Sequence, residues 1–240
     1  MEKINGIVLE NRKHNDAVNI VTLYTRSRGR VSFISPAGGG GKSKGRAARL
    51  LPLALVDCDV RFVANKELQR LGAVSTPYAW HDLYFNPIKS SMALFLSEFL
   101  NHVLRETTPD PNIWDFIRHS IYILDRLEGS PANFHIAFMI SFLPFSGIQP
   151  DMSGWRPGYH FSLETGEFSA LPVGQRQYLS PEDSQKLPFL ARMNYYNMRR
   201  FRLNAEERQS ILNGLLRYYA IHYPGADNLK SLAILHEVFS

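Results

Sequence analysis

The chain has 240 residues, 45% hydrophobic and 12% aromatic, enough to bury the core of one large domain or two ordinary ones and too apolar for wholesale disorder. Its formal charge of +5 is unevenly spread. Residues 1–80 hold 13 Lys and Arg against 6 Asp and Glu, net +7, while residues 81–240 are net −2, the asymmetry of a module that binds a polyanion.

The lone cysteine, Cys58 in LALVDCDV, excludes an intrachain disulfide and a cysteine zinc cage, and reads as a buried thiol. The opening MEKINGIVLENRKH lacks a signal peptide's apolar centre, and no run of 18 apolar residues occurs. A soluble, cytoplasmic protein is expected.

Taken in order, Ile4–Leu9 reads as a short strand broken by the polar NRKHND, and Ala17–Tyr24 as a strongly β-prone one. Ser27–Arg30 reads as a tight turn and Val31–Ser35 as the returning strand. Beyond the run Gly38–Gly41, a strand is expected over Leu50–Val56, with Pro52 marking an edge or bulge, continuing through Asp57–Val63. Leu68–Ala73 is a further strand. Five short strands in about 75 residues suggest a small barrel.

From Pro87 the apolar period changes from 2 to 3.6. Met92, Phe95, Leu96, Phe99, Leu100, Val103 and Leu104 share one helical face. Asp110-Pro111, Ser130-Pro131 and Ser180-Pro181 each read as an N-cap with Pro at the first helical position. The first two helices are expected to stop at Gly129 and Gly147. Asn204 with Glu207 suggests a capping box, and Pro224-Gly225 a stop before a last helix bearing Leu229, Leu232, Leu235 and Phe239. Within this helical part, Trp155–Leu171 alternates like a strand pair around Glu164-Thr165-Gly166. The boundary between the two parts falls near Thr76–Pro87.

Between Arg26 and Arg49 stand seven cations, Arg26, Arg28, Arg30, Lys42, Lys44, Arg46 and Arg49, and no carboxylate occurs between Asp16 and Asp57. Basic strands around a Gly loop suit an irregular anion, with Tyr24 and Phe33 as base-stacking platforms or as barrel core. Arg12 and Lys13 extend the patch. A second group, Arg192, Arg199, Arg200 and Arg202 among Tyr195, Tyr196 and Phe201, is a further basic patch, a partner site or a solvated loop.

Catalytic chemistry finds little footing. Gly41-Lys42-Ser43 ends like a phosphate-binding loop, but Pro36 stands where that pattern needs Gly, and Pro52 forbids the long helix that follows it. Asp57 and Asp59 read as solvent-facing strand carboxylates. His102, His119 and His135 read as hydrogen-bonded packing residues, with no metal-ligand spacing or nucleophile elbow. No catalytic residue and no cofactor is expected.

GIVLENRKHNDAVNIVTLYTRSRGRVSFISPAGGGGKSKGRAARLLPLALVDCDV resembles the RecO family of bacterial recombination mediators. The order carries the resemblance: G-I-V-L, a polar turn, I-V-T-L-Y-T, R-G-R-V, a basic Gly loop and L-x-P-L. It implies an α+β chain with a five-stranded N-terminal OB-fold barrel over 1–80 and a mostly helical domain over 81–240. It implies binding of single- and double-stranded DNA and annealing of complementary strands. It further implies partnership with RecR and the C-terminal tail of single-strand binding protein, to load RecA, in a nucleoid-associated setting. Many members hold zinc with four cysteines in the helical insert. Residues 151–175 contain none, so an aromatic cluster at Trp155, Tyr159, His160 and Phe161 takes that structural place and no metal is expected. The competing reading is a protein adaptor, with Arg118 and Arg126 or the Arg199–Arg202 cluster facing an acidic partner.

Overall fold

Five strands, β1 (Glu2–Lys13), β2 (Val18–Thr25), β3 (Gly29–Pro36), β4 (Leu55–Arg61) and β5 (Leu68–Ser75), close into a barrel in the order β1-β2-β3-β5-β4. Every neighbour is antiparallel except β3 and β5. This is the five-stranded OB topology. The computed structural model describes residues 1–37, 45–64, 66–105, 108–171 and 177–239.

Alternation drives closure. Ile4, Val8, Val21, Leu23, Phe33, Val56, Cys58, Val60, Leu71 and Val74 point inward and are buried. β1 serves two partners: Glu2–Ile7 pairs with β4 and Gly6–Lys13 with β2, the β2 register shifting at a bulge between Val8 and Glu10.

Two strand expectations are corrected here. β1 does not stop at Leu9; Asn11, Arg12 and Lys13 stay on the ladder opposite Val21, Ile20 and Asn19, because backbone pairing needs no apolar side chain. Leu50–Ala54 is not strand. Leu53 adopts φ 61, donates its N–H to the Val8 carbonyl at 2.8 Å, and Ala54 accepts from Val8 N–H at 3.0 Å. The bulge in β1 is thus satisfied by a turn.

After the barrel come α1 (Pro87–Val103), α2 (Pro111–Arg126), α3 (Phe134–Phe142), the two-residue strands β6 (His160–Phe161) and β7 (Phe168–Ser169), short turns α4 (Pro181–Ser184) and α5 (Leu187–Leu190), then α6 (Ala205–His222) and α7 (Ser231–Phe239). The chain forms two compact units, Met1–Glu128 with Leu229–Val238, and Gly129–Asn228 with Phe239. The first unit therefore runs past the composition boundary near Thr76–Pro87 and takes in α1 and α2.

In the first unit, Asn86 and Asp110 cap α1 and α2 through their side-chain oxygens, each followed by Pro. α2 ends at Arg126, three residues before the expected Gly129. Tyr24 is fully buried, its ring 6.4 Å from Trp114. Asp125, also fully buried, accepts hydrogen bonds from the backbone N–H groups of His81, Asp82 and Leu83 and from the Tyr78 hydroxyl. Glu98 on α1 accepts from the N–H groups of Lys230 and Ser231, which start α7.

In the second unit, Asn204 and Glu207 form the expected capping box of α6, and Ser180 caps α4. Ser130 does not cap α3, which begins at Phe134. Asn133 occupies the cap position, yet its Nδ2 donates to the carbonyls of Met198 and Phe201 at 2.9 and 2.8 Å. The insert folds as the expected hairpin, Phe161 packing against Phe168 and Tyr218 at ring distances of 5.1 and 5.7 Å. Tyr218 packs against the hairpin from α6, a residue the sequence reading of that cluster lacked. His119 is exposed rather than a packing residue.

Candidate nucleic-acid interface

The cations of the Arg26–Arg49 stretch do not form one patch. Arg26, Ser27 and Arg28 are the three loop residues of the β2–β3 hairpin, closed by Gly29 at φ 64. Thr25 Oγ1 accepts the Arg28 N–H and donates to the Gly29 carbonyl, which fixes the turn. β3 then leads away for eight residues, about 24 Å at strand rise. Its far end, at Pro36, leads to residues 38–44, so Lys42, Lys44 and the Gly loop lie outside the described residues.

Each remaining cation has a distinct setting. Arg26 is exposed. Arg28 lies over the Phe62 ring at 4.0 Å and pairs with Glu2 at 2.9 Å. Arg30 is half-buried and donates from Nε to Asn101 of α1 at 2.9 Å; burial first, then Arg105, push its pKa down. Arg46 donates to the Leu71 carbonyl and Ser35 hydroxyl at 3.4 and 3.5 Å, and Arg49 to the Val74 carbonyl at 3.2 Å. Those two arginines bind the barrel's own backbone. Arg12 is exposed beside Glu10, at 3.4 Å.

Tyr24 and Phe33 are both fully buried, so the choice between platform and core resolves to core. The aromatic that does reach the surface is Phe62, half-buried, 6.3 Å from Phe33 and beneath Arg28. It ends the apolar pattern of β4 next to a second exposed cation, Arg61, which pairs across the ladder with exposed Arg70. The order R-F-V at Arg61–Val63, a cation beside an aromatic at a strand end, was the available signal. Asp57 accepts from Asn5 Nδ2 at 2.7 Å, and burial pushes the Cys58 thiol up to about 12. Cys58 is a free thiol buried in the barrel core.

The second basic group lies in the second unit. Arg192, Arg199, Arg200 and Arg202 are all exposed, the middle two on a 3₁₀ turn, Met198–Arg200, held by Asn133. Tyr195 stacks on Phe134 at 5.0 Å and Phe201 is buried beside Phe189, leaving Tyr196 as the solvent-facing ring. Arg192 lines a cavity of about 380 Å³ with Ile140, Leu143, Pro150 and Met193. Among the described residues no three His, Cys, Asp or Glu side chains gather to hold a metal ion, and no helix is long and apolar enough to cross a membrane.

An OB barrel followed by a mostly helical region with a small hairpin defines the architectural class of this chain. The family model described as Recombination protein O N terminal matches residues 1–77, and Recombination protein O C terminal matches residues 84–233. The chain is 34% identical to a DNA repair protein RecO of Phocaeicola vulgatus over 240 residues, all of both chains. It is 33% identical to that of Bacteroides fragilis, covering 100% and 99% of the two chains, and 32% identical to that of Porphyromonas gingivalis, covering 98% and 97%. The chain belongs to the RecO family of DNA repair proteins.

Proposed function

We propose that this chain is a DNA-binding recombination mediator that performs no bond chemistry: it anneals complementary single strands and, with RecR and single-strand binding protein, helps place RecA on single-stranded DNA at the nucleoid. Residues 1–80 act as the DNA-binding domain and residues 81–240 as the helical domain carrying the 151–175 insert. The observation that carries the reading is the OB barrel whose β2–β3 turn presents Arg26 and Arg28, in a chain without a carboxylate between Asp16 and Asp57.

The mechanism is electrostatic. Two strands repel through their phosphates, and a barrel that neutralises both lowers the cost of bringing them together. Contact by about five cations gives a slope of log affinity against log salt near −3.5 for single strands. The deciding measurement is a strand-annealing assay with labelled complementary oligonucleotides, with and without single-strand binding protein on the DNA. Accelerated annealing supports the reading. A folded protein that neither binds nor anneals either substrate overturns it.

The cavity beside Arg192 favours a second, compatible role. An acidic peptide with an apolar end, such as the tail of single-strand binding protein, has there a cation and a recess whose lining mixes Ile140, Leu143 and Met193 with the polar Ser141, Gln149 and Asn194. Calorimetry with an acidic, aromatic-ended peptide tests this adaptor role. Heat that survives Arg192→Glu, or no heat with the wild-type chain, rejects the site.

A further inference from the structure

The rim beside the β4–β5 loop carries an arrangement that the Arg26–Arg49 stretch does not explain. Arg61 and Arg70 are direct cross-strand partners on antiparallel β4 and β5, and both are exposed. Like charges placed directly opposite each other destabilise a ladder. Among the described residues no carboxylate lies within ion-pair distance of either guanidinium, and neither makes a hydrogen bond. The strand neighbour Asp59 sits at the bulge between Cys58 and Val60, off the regular alternation.

One residue along from Arg61, Phe62 supports Arg28 from below at 4.0 Å, while Glu2 fixes the same guanidinium at 2.9 Å. Arg28 still has 46% of its side chain exposed. A guanidinium held over a ring, with its charge already paired, is suited to stack a base rather than clamp a phosphate. Beyond Phe62, Gln69 accepts the Val63 N–H at 2.9 Å and donates to the carbonyls of Val63 and Lys66. The platform is therefore built before any ligand arrives.

We infer that Arg61 and Arg70 clamp one backbone phosphate of a single DNA strand while Arg28, backed by Phe62, stacks the adjoining base. The inference rests on the DNA-binding reading and assigns it a nucleotide subsite. Two like charges facing each other across a ladder become favourable once a phosphate bridges them. The clamp costs the apo fold stability and returns affinity, which separates it from an ordinary structural pair.

The test uses the full chain and a labelled oligodeoxythymidylate, with affinity measured across a salt series and stability by urea. The double variant Arg61→Gln/Arg70→Gln is expected to lose about 1.4 from the magnitude of the salt slope, near 0.7 per phosphate-contacting cation. Its urea midpoint is expected to stay level or rise. Arg28→Lys keeps the charge and loses the plane, so affinity is expected to fall at least fivefold with the slope unchanged. A double variant with an unchanged slope overturns the clamp, as does a lowered midpoint with unaltered affinity. If the wild-type chain fails to bind the oligonucleotide, the underlying reading falls with it.

Discussion

Lys89 Nζ lies 2.9 Å from the Asp82 carboxylate, and the lysine side chain is only 3% exposed. Its ammonium also donates to the Asp125 carbonyl at 3.0 Å. The segment that leaves the barrel is thereby fastened to α1 and α2 through buried charge that is paired and hydrogen-bonded.

The first prediction concerns Asp125. Burial alone raises its pKa, but the N–H groups of Asp82, Leu83 and His81 and the Tyr78 hydroxyl outweigh that and hold it below the ordinary carboxylate value. A depressed folded pKa contributes stability that is present above the unfolded value, near 3.9, and is lost as pH falls below it. Urea denaturation from pH 7 to pH 3 is expected to show this acid limb. Asp125→Ala is expected to cost about 3–5 kcal/mol at pH 7 and to flatten the limb.

Arg46 separates support from binding. It reaches the Leu71 carbonyl and the Ser35 hydroxyl, so Arg46→Glu leaves acceptors facing a carboxylate. A loss of about 1–3 kcal/mol is expected in urea denaturation. Arg26→Glu, at an exposed turn position, is expected to shift stability by under about 0.5 kcal/mol while weakening DNA binding. A Glu substitution at Arg46 that leaves stability untouched contradicts the supporting role.

Gly72 is opposite the β4 bulge. A Cβ there meets the Asp59 carbonyl oxygen at 2.4 Å, and backbone cannot yield as a flexible side chain does. Gly72→Ala is expected to destabilise the barrel by about 1–3 kcal/mol. Amide hydrogen exchange in β4 and β5, compared with β2, locates the damage.

The capping box of α6 predicts a smaller loss. Asn204 accepts the Glu207 N–H at 2.9 Å and Glu207 accepts the Asn204 N–H at 2.8 Å. Asn204→Ala is expected to cost about 1 kcal/mol, and Asn204→Asp close to nothing, by thermal unfolding followed through helical circular dichroism.

Legibility followed the kind of signal. β2 was plain because Val18–Tyr24 is a β-branched run, and α1 because its inward residues recur at helical spacing. Asn11–Lys13 hid because ladder pairing is a backbone property that polar side chains do not betray. Ser130-Pro131 misled because Asn133, three residues on, spends its amide on Met198 and Phe201, a tertiary demand no local pattern encodes. The basic stretch was evident as charge, yet its division along β3 was not. Arg46 and Arg28 are 18 positions apart in one run, and only the closed barrel sends one to its own carbonyls and the other onto Phe62. Phe62 and Arg70 were missed because they join the rim through register, from a segment poor in cation runs.

Glu98 has a consequence for biogenesis. Its carboxylate waits on α1 for the N–H groups of Lys230 and Ser231, more than 130 positions downstream, and Leu229–Val238 belongs to the same compact unit as the barrel. On the ribosome that unit cannot finish when its own first 128 residues emerge; the whole of Gly129–Asn228 must be translated first. Its stability accordingly matures late in synthesis, after the segment inserted into it has had time to fold.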